Sequence, residues 1–178
     1  MLNTVSTSSH VLAFNLVLLA VRLFLGSMIF AHGFRKAFLG GRLAGTARWF
    51  ESIGMRQPML NAVMASSTEM GVGVLLVLGL LTPFACGGLV ALMTTAIITV
   101  HWKNGFFIFN KGEGIEYTLG VAVTALEPSV VGPGAYSLDH AWHFLHWSAL
   151  ACLGVTLVLG IGGSLAQVVT FYQPSAKP

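Results

Sequence analysis

Charged side chains are scarce in this 178-residue sequence, where Asp, Glu, Lys and Arg together make up 8% of positions. A soluble domain carries about 25%. With 55% hydrophobic residues and a mean hydropathy of +0.80, the scarcity excludes a soluble globular domain. It leaves an all-α integral membrane protein whose bundle uses nearly the whole length. Cysteine is rarer still. Cys86 and Cys152 lie in apolar runs without C-x-x-C spacing, and they read as packing residues, with a disulfide or redox role as the alternative. A haem-attachment motif, an iron–sulfur cysteine set and a dinucleotide-binding glycine loop are all missing. No intrinsic cofactor and no autonomous catalytic nucleophile–base set is therefore expected. The start, M-L-N-T-V-S-T-S-S-H, has no basic n-region, and the apolar run after it exceeds an h-region, so it reads as retained.

What the chain has in quantity is long apolar runs. A bilayer crossing needs roughly 20 residues. Spans are expected over about 11–34, 58–81, 85–101, 114–131 and 143–171. The span at 114–131 is the weakest, because Pro128 falls inside it. The 143–171 span is long enough to cross with tilt. Eight of the nine Lys and Arg residues (35, 36, 42, 48, 56, 103, 111 and 177) fall on one side of this arrangement. The opposite segments carry none, so the excess of positive charge belongs to loops rather than to nucleic-acid binding. By the positive-inside rule the N-terminus lies outside and the C-terminus in the cytoplasm. Between the first two spans, Leu43, Ala47 and Phe50 recur at helical spacing among arginines. An amphipathic helix over about 42–54 on the cytoplasmic leaflet is expected, the alternative being an irregular basic loop.

The polar residues within these spans are the candidate functional groups. Arg22 in a membrane helix costs about 2.5–3.5 kcal/mol on insertion scales, so it should face a partner or a wet cavity. Counted along each span at 1.5 Å per residue, Arg22 and Glu69 reach similar depth, which predicts an Arg22–Glu69 ion pair. That pair either sets helix register or marks a functional centre. Asn15, Arg22, Gly26, Gly33 and Lys36 share one stripe. Glu116, Gly120, Thr124 and Glu127 form another, and with Ser66, Ser67 and Thr68 beside Glu69 the three stripes suggest an internal pathway. His32, His101 and Glu116 should meet near the cytoplasmic face, suited to proton relay, headgroup binding, a divalent ion or ordinary interfacial hydrogen bonding. His140, His143 and His146 open the last span. They read as an interfacial belt with Trp142 and Trp147, and as a weak metal candidate.

Several motifs in order, R-L-F-L-G-S-M-I-F-A-H-G-F-R-K, W-F-E-S-I-G-M-R-Q-P, E-M-G-V-G-V-L-L-V-L-G-L-L-T-P, H-W-K-N-G-F-F, G-I-E-Y and G-P-G-A-Y-S-L-D, resemble the DoxX family of small bacterial membrane proteins. The resemblance covers about residues 15–139. It implies a DoxX-like four-helix transmembrane bundle over 1–139; residues 140–178, an additional transmembrane helix and short tail, depart from that family pattern. It also implies a bacterial inner-membrane location, contact with membrane lipid and association with other subunits of a membrane complex. By motif it directs attention to Arg22, His32, Gly33, Lys36, Glu69, His101, Asn104, Gly105, Glu116 and Tyr117. The family's link to a thiosulfate-oxidising quinone system implies a subunit of a quinone-linked oxidoreductase. In that reading His32, Lys36, His101, Asn104, Glu116 and Tyr117 form a quinone or proton site. A non-catalytic assembly subunit and a small-molecule or proton carrier are the alternatives.

Overall fold

A computed structural model describes residues 2–144 and 147–174, with side chains from Ser8 onward. Four helices are long and apolar enough to cross a membrane: Ser8–Phe38, Pro58–Leu78, Thr82–Asn104 and Ala149–Phe171. The first lies within α1 (Leu2–Phe38), which is followed by α2 (Arg42–Ser52) and α3 (Pro58–Leu78). Next come α4 (Thr82–Ala96), α5 (Glu116–Thr124), α6 (Leu126–Val130) and α7 (Leu138–Ala141), and the chain closes with α8 (Ala149–Leu157) and α9 (Gly163–Phe171). A π turn at Ile97–His101 extends α4, and another at Val158–Gly162 joins α8 to α9.

Local chemistry marks the helix ends. Pro58 lies in the first turn of α3, where its missing N–H is no loss. Gly79 ends the same helix at φ +63. There the Gly79 and Leu80 amides donate back to the Leu76 and Leu75 carbonyls in a Schellman arrangement. Ser148 caps α8 by accepting from the Ala151 amide at 3.2 Å.

The expected span over 114–131 is not a fourth long helix. Residues 116–130 form two short helices, about 22 Å end to end. Pro128 supplies no N–H to the Thr124 carbonyl, so the helical ladder breaks there. The segment nevertheless runs the length of the bundle. Tyr117 meets Met28 near one end, and Ser129 meets Thr156 beside the Pro83 carbonyl near the other. Its polar stripe is not internal: Glu116, Gly120 and Thr124 are exposed and Glu127 is half-buried, whereas Thr118, Val121, Ala125 and Ser129 face the protein.

Glycine sets the packing of α1 on α3. A Cβ on Gly26 would lie 2.7 Å from the Gly73 carbonyl oxygen, and one on Gly33 would lie 2.7 Å from that of Ser66. The backbones are therefore in close contact, as small residues permit in membranes. One core cluster centres on Leu25, Ile29, Val72, Leu76, Leu89 and Met93. A second, of Ala47, Phe50, Met55, Ala62 and Ala65, lies under α2. The apolar stripe of α2 thus faces protein, while Arg48 and Trp49 are exposed. Beyond α9 the chain pairs with the connection before α3, Met55 bridging Tyr172 and the Arg56 amide donating to the Phe171 carbonyl. The additional helix is stitched into the bundle.

Candidate functional site

The first polar centre lies at the end of the bundle where α3 turns into α4. Arg22 is fully buried. Its guanidinium donates to the carbonyls of Leu76 (3.2 Å), Val77 (3.4 Å) and Tyr136. Asp139 accepts from the Leu81 and Thr82 amides, each at 2.9 Å, and from the Thr82 hydroxyl at 2.7 Å, capping α4 from outside the helix. Asn15 accepts from the Ala135 amide at 2.8 Å. The G-P-G-A-Y-S-L-D segment is thereby pinned over the α3–α4 turn. Arg22 and Asp139 are both engaged with backbone or a neighbouring hydroxyl, and the arrangement is a latch.

The expected Arg22–Glu69 ion pair does not form. The glycine contacts set α1 against α3 so that Arg22 lies level with Val77, eight residues beyond Glu69. At the helical rise that separates the two by about 12 Å. Counting depth from a helix end near Phe34 contributes about half of this offset, because α1 continues to Phe38. Glu69 instead pairs with Lys36 through Oε1.

That pair belongs to the second centre, a cavity of about 360 Å³ at the opposite, basic end. Its walls come from α1, α2, α3, α4, α5 and α9, and its polar lining includes His32, Lys36, Glu69, Thr99, His101, Tyr117 and Gln167. Met28, Ile29, Trp49, Phe50, Leu92 and Met93 supply apolar surface. Glu69 is 4% exposed, and its Oε2 is buried without a hydrogen-bond partner. The π turn carries Thr99, Val100 and His101 onto the cavity wall. One extra residue in a turn rotates the next side chains by about 100°. His101 Nδ1 lies 2.9 Å from the Glu113 carbonyl oxygen. A carbonyl oxygen only accepts, so Nδ1 carries the hydrogen and a neutral ring keeps its lone pair on Nε2. Across the rim the Tyr117 hydroxyl donates to the Met28 sulfur at 3.0 Å. His32 and Tyr117 are exposed on the helix faces beside this contact, so the cavity reaches the apolar flank of the bundle.

Four of the expected headgroup residues, His32, Lys36, His101 and Tyr117, line this cavity, and Glu69 joins them. Two do not. Asn104 folds the loop by donating to the Gly112 (2.6 Å) and Glu113 (3.0 Å) carbonyls. Glu116 accepts from the Ile108 amide at 3.0 Å and is turned to the same loop, away from the two histidines. His140 and His143 line a separate open groove of about 700 Å³ beside Asp139, their rings 6.3 Å apart. His146 lies outside the described residues. Among the described residues no three His, Cys, Asp or Glu side chains gather as a metal site. Both cysteines are free, Cys86 being buried.

Gln167 is the lining residue that hydropathy alone passes over. It donates to Asn61 Oδ1 at 3.0 Å and accepts from the Thr95 hydroxyl at 3.3 Å. Its signal is a lone amide in an otherwise apolar crossing, which normally faces inward.

The model of the DoxX family matches residues 17–102. Residues 17–102 form a DoxX domain. No curated protein and no solved structure matches the chain. The DoxX match contains Arg22, His32, Lys36, Glu69 and His101 and ends at Trp102. Asn104, Glu116, Tyr117, Asp139 and Gln167 lie beyond it. In this DoxX-domain membrane protein the cavity therefore combines four walls inside the matched region, α1 to α4, with two outside it, α5 and α9.

Proposed function

We propose that this DoxX-domain protein is a membrane subunit of a quinone-linked redox complex, with the basic-end cavity as the headgroup site. The observation that carries this reading is the orphaned, buried oxygen of Glu69, a residue lining a chamber open to the apolar flank. Ligand sites are concave, mostly apolar and furnished with a few convergent polar groups, typically within 300–1,000 Å³. A lipid-soluble ring with oxygens on opposite edges suits both the lining and the lateral mouth. His32 and Lys36 carry the N–H donors for a quinone oxygen, and Glu69 and His101 can accept from the hydroxyls of its reduced form. Tyr117 and Met28 flank its route from the bilayer, and Trp49 and Phe50 bound its apolar surface. When bound, a quinone supplies two-electron, two-proton chemistry. Electrons have to come from a partner subunit, because the chain holds no cysteine cluster or haem-attachment motif. His32, His101 and the Lys36–Glu69 pair provide exchangeable protons near the surface. Seven basic residues gather at this end (35, 36, 42, 48, 56, 103 and 111), which supports a cytoplasmic-facing position in a bacterial inner membrane.

Purification in gentle detergent, followed by mass spectrometry of co-purifying lipids and proteins, tests the reading. A quinone and a redox-active partner are expected, with quinone recovery falling severalfold in Lys36→Ala. Recovery of neither would overturn it.

A further inference from the structure

We infer that the cavity holds the reduced, hydroxyl-bearing form of its ligand more tightly than the oxidised form, with Glu69 Oε2 as the discriminating acceptor. This rests on the quinone reading above. Glu69 has a 5% exposed side chain, with Oε1 taken by the Lys36 ammonium and Oε2 buried without a partner. An ionised carboxylate accepts hydrogen bonds and donates none. His101 adds a second open acceptor, since its Nδ1–H is committed to the Glu113 carbonyl.

Several donors on the lining are engaged elsewhere. Tyr117 donates to Met28 Sδ, Gln167 donates to Asn61, and the Thr99 hydroxyl donates to the Thr95 carbonyl. Lys36 is committed to Glu69, and its side chain is 29% exposed, so water is available to its remaining protons. The same ammonium disfavours a cationic ligand beside Glu69. A neutral donor is the class of group that Glu69 Oε2 lacks. The oxygens of a quinone only accept, whereas the hydroxyls of a hydroquinone donate. Sites built to pair a substrate hydroxyl reject the analogue lacking it, because their own polar atom is then left buried and unpaired.

The test uses the full chain in lipid nanodiscs under anaerobic conditions. Binding of a decyl-tailed benzoquinone and of its hydroquinone is read from quenching of tryptophan fluorescence, Trp49 being a cavity residue. The hydroquinone is expected to bind tighter by about tenfold or more, the effect of one hydrogen bond to a charged acceptor. Glu69→Gln should bring the ratio to within about twofold, because an amide can also donate to a quinone oxygen. Glu69→Asp should keep the preference for the hydroquinone. The ratio is taken within one sample, so an unfolded fraction cancels. Equal binding of both forms by the unsubstituted protein, or tighter binding of the quinone, overturns the preference and leaves the quinone reading standing. Binding of neither form overturns both.

Discussion

The two buried charges of this bundle, Arg22 and Glu69, meet the same solvation problem in different ways. Arg22 is surrounded by carbonyl oxygens of two chain segments, and no carboxylate lies within ion-pair distance of it among the described residues. Its Nε has no acceptor, yet Arg22 lines neither the groove nor the cavity. Glu69 has one cation on one oxygen and no partner on the other, and the residue lines the cavity. A charge satisfied by backbone can only be a fastener, because those partners cannot exchange without unfolding the turn. A charge facing a cavity can take a ligand. Burial alone does not distinguish the latch from the site, and the identity of the partners does.

Substitutions should separate the two ends. Arg22→Met removes the donor to the Val77 and Tyr136 carbonyls in a dry environment, while the Leu76 carbonyl keeps the Gly79 amide. At about 1–3 kcal/mol each this amounts to roughly 2–6 kcal/mol of lost stability, read by thermal denaturation in detergent, and no acidic second-site change should rescue it. Rescue by neutralising Glu69 would contradict the register described above. Lys36→Met leaves Glu69 buried without its cation and should cost about 2–3 kcal/mol, less than a sealed pair because the rim admits water. Here a second change does help. Combined with Glu69→Gln, most of the loss should return, and a double-mutant cycle without coupling would show that the pair is incidental.

Asp139→Asn retains an acceptor for the α4 amides but loses its charge, so about 1–2 kcal/mol is expected. The loss should be independent of any added quinone. Gln167→Leu should be the mildest, near 1 kcal/mol. It differs from Asp139→Asn in altering ligand affinity at the basic end, which the same binding titration would read.

Much of this is legible in the residues. The long apolar runs mark four crossings, Pro128 marks the weak one, and the one-sided basic residues mark the end where the cavity opens. Leu43, Ala47 and Phe50 announce α2, although their spacing cannot say whether the stripe meets lipid or protein. His32, Lys36, His101 and Tyr117 are recognisable as neighbours because each sits near the same end of its helix. Glu116 and Asn104 share that end but are drawn into a loop whose backbone needs them. The partner of Arg22 is not legible, because depth counted along a span depends on where the helix ends, and α1 runs past Phe34 to Phe38.

Helical periodicity, hydropathy and charge sorting are properties of neighbouring residues, so they can be read along one chain without knowing the rest. They suffice for the class of protein, its long crossings and several of the polar residues that matter. Register between two helices is a different kind of quantity. It depends on where Gly26 finds Gly73 and Gly33 finds Ser66, and a shift of eight residues along a helix leaves hydropathy almost unchanged. That contact decides that Arg22 closes a turn, that Glu69 meets Lys36, and that one oxygen of a cavity-lining carboxylate is left without a partner.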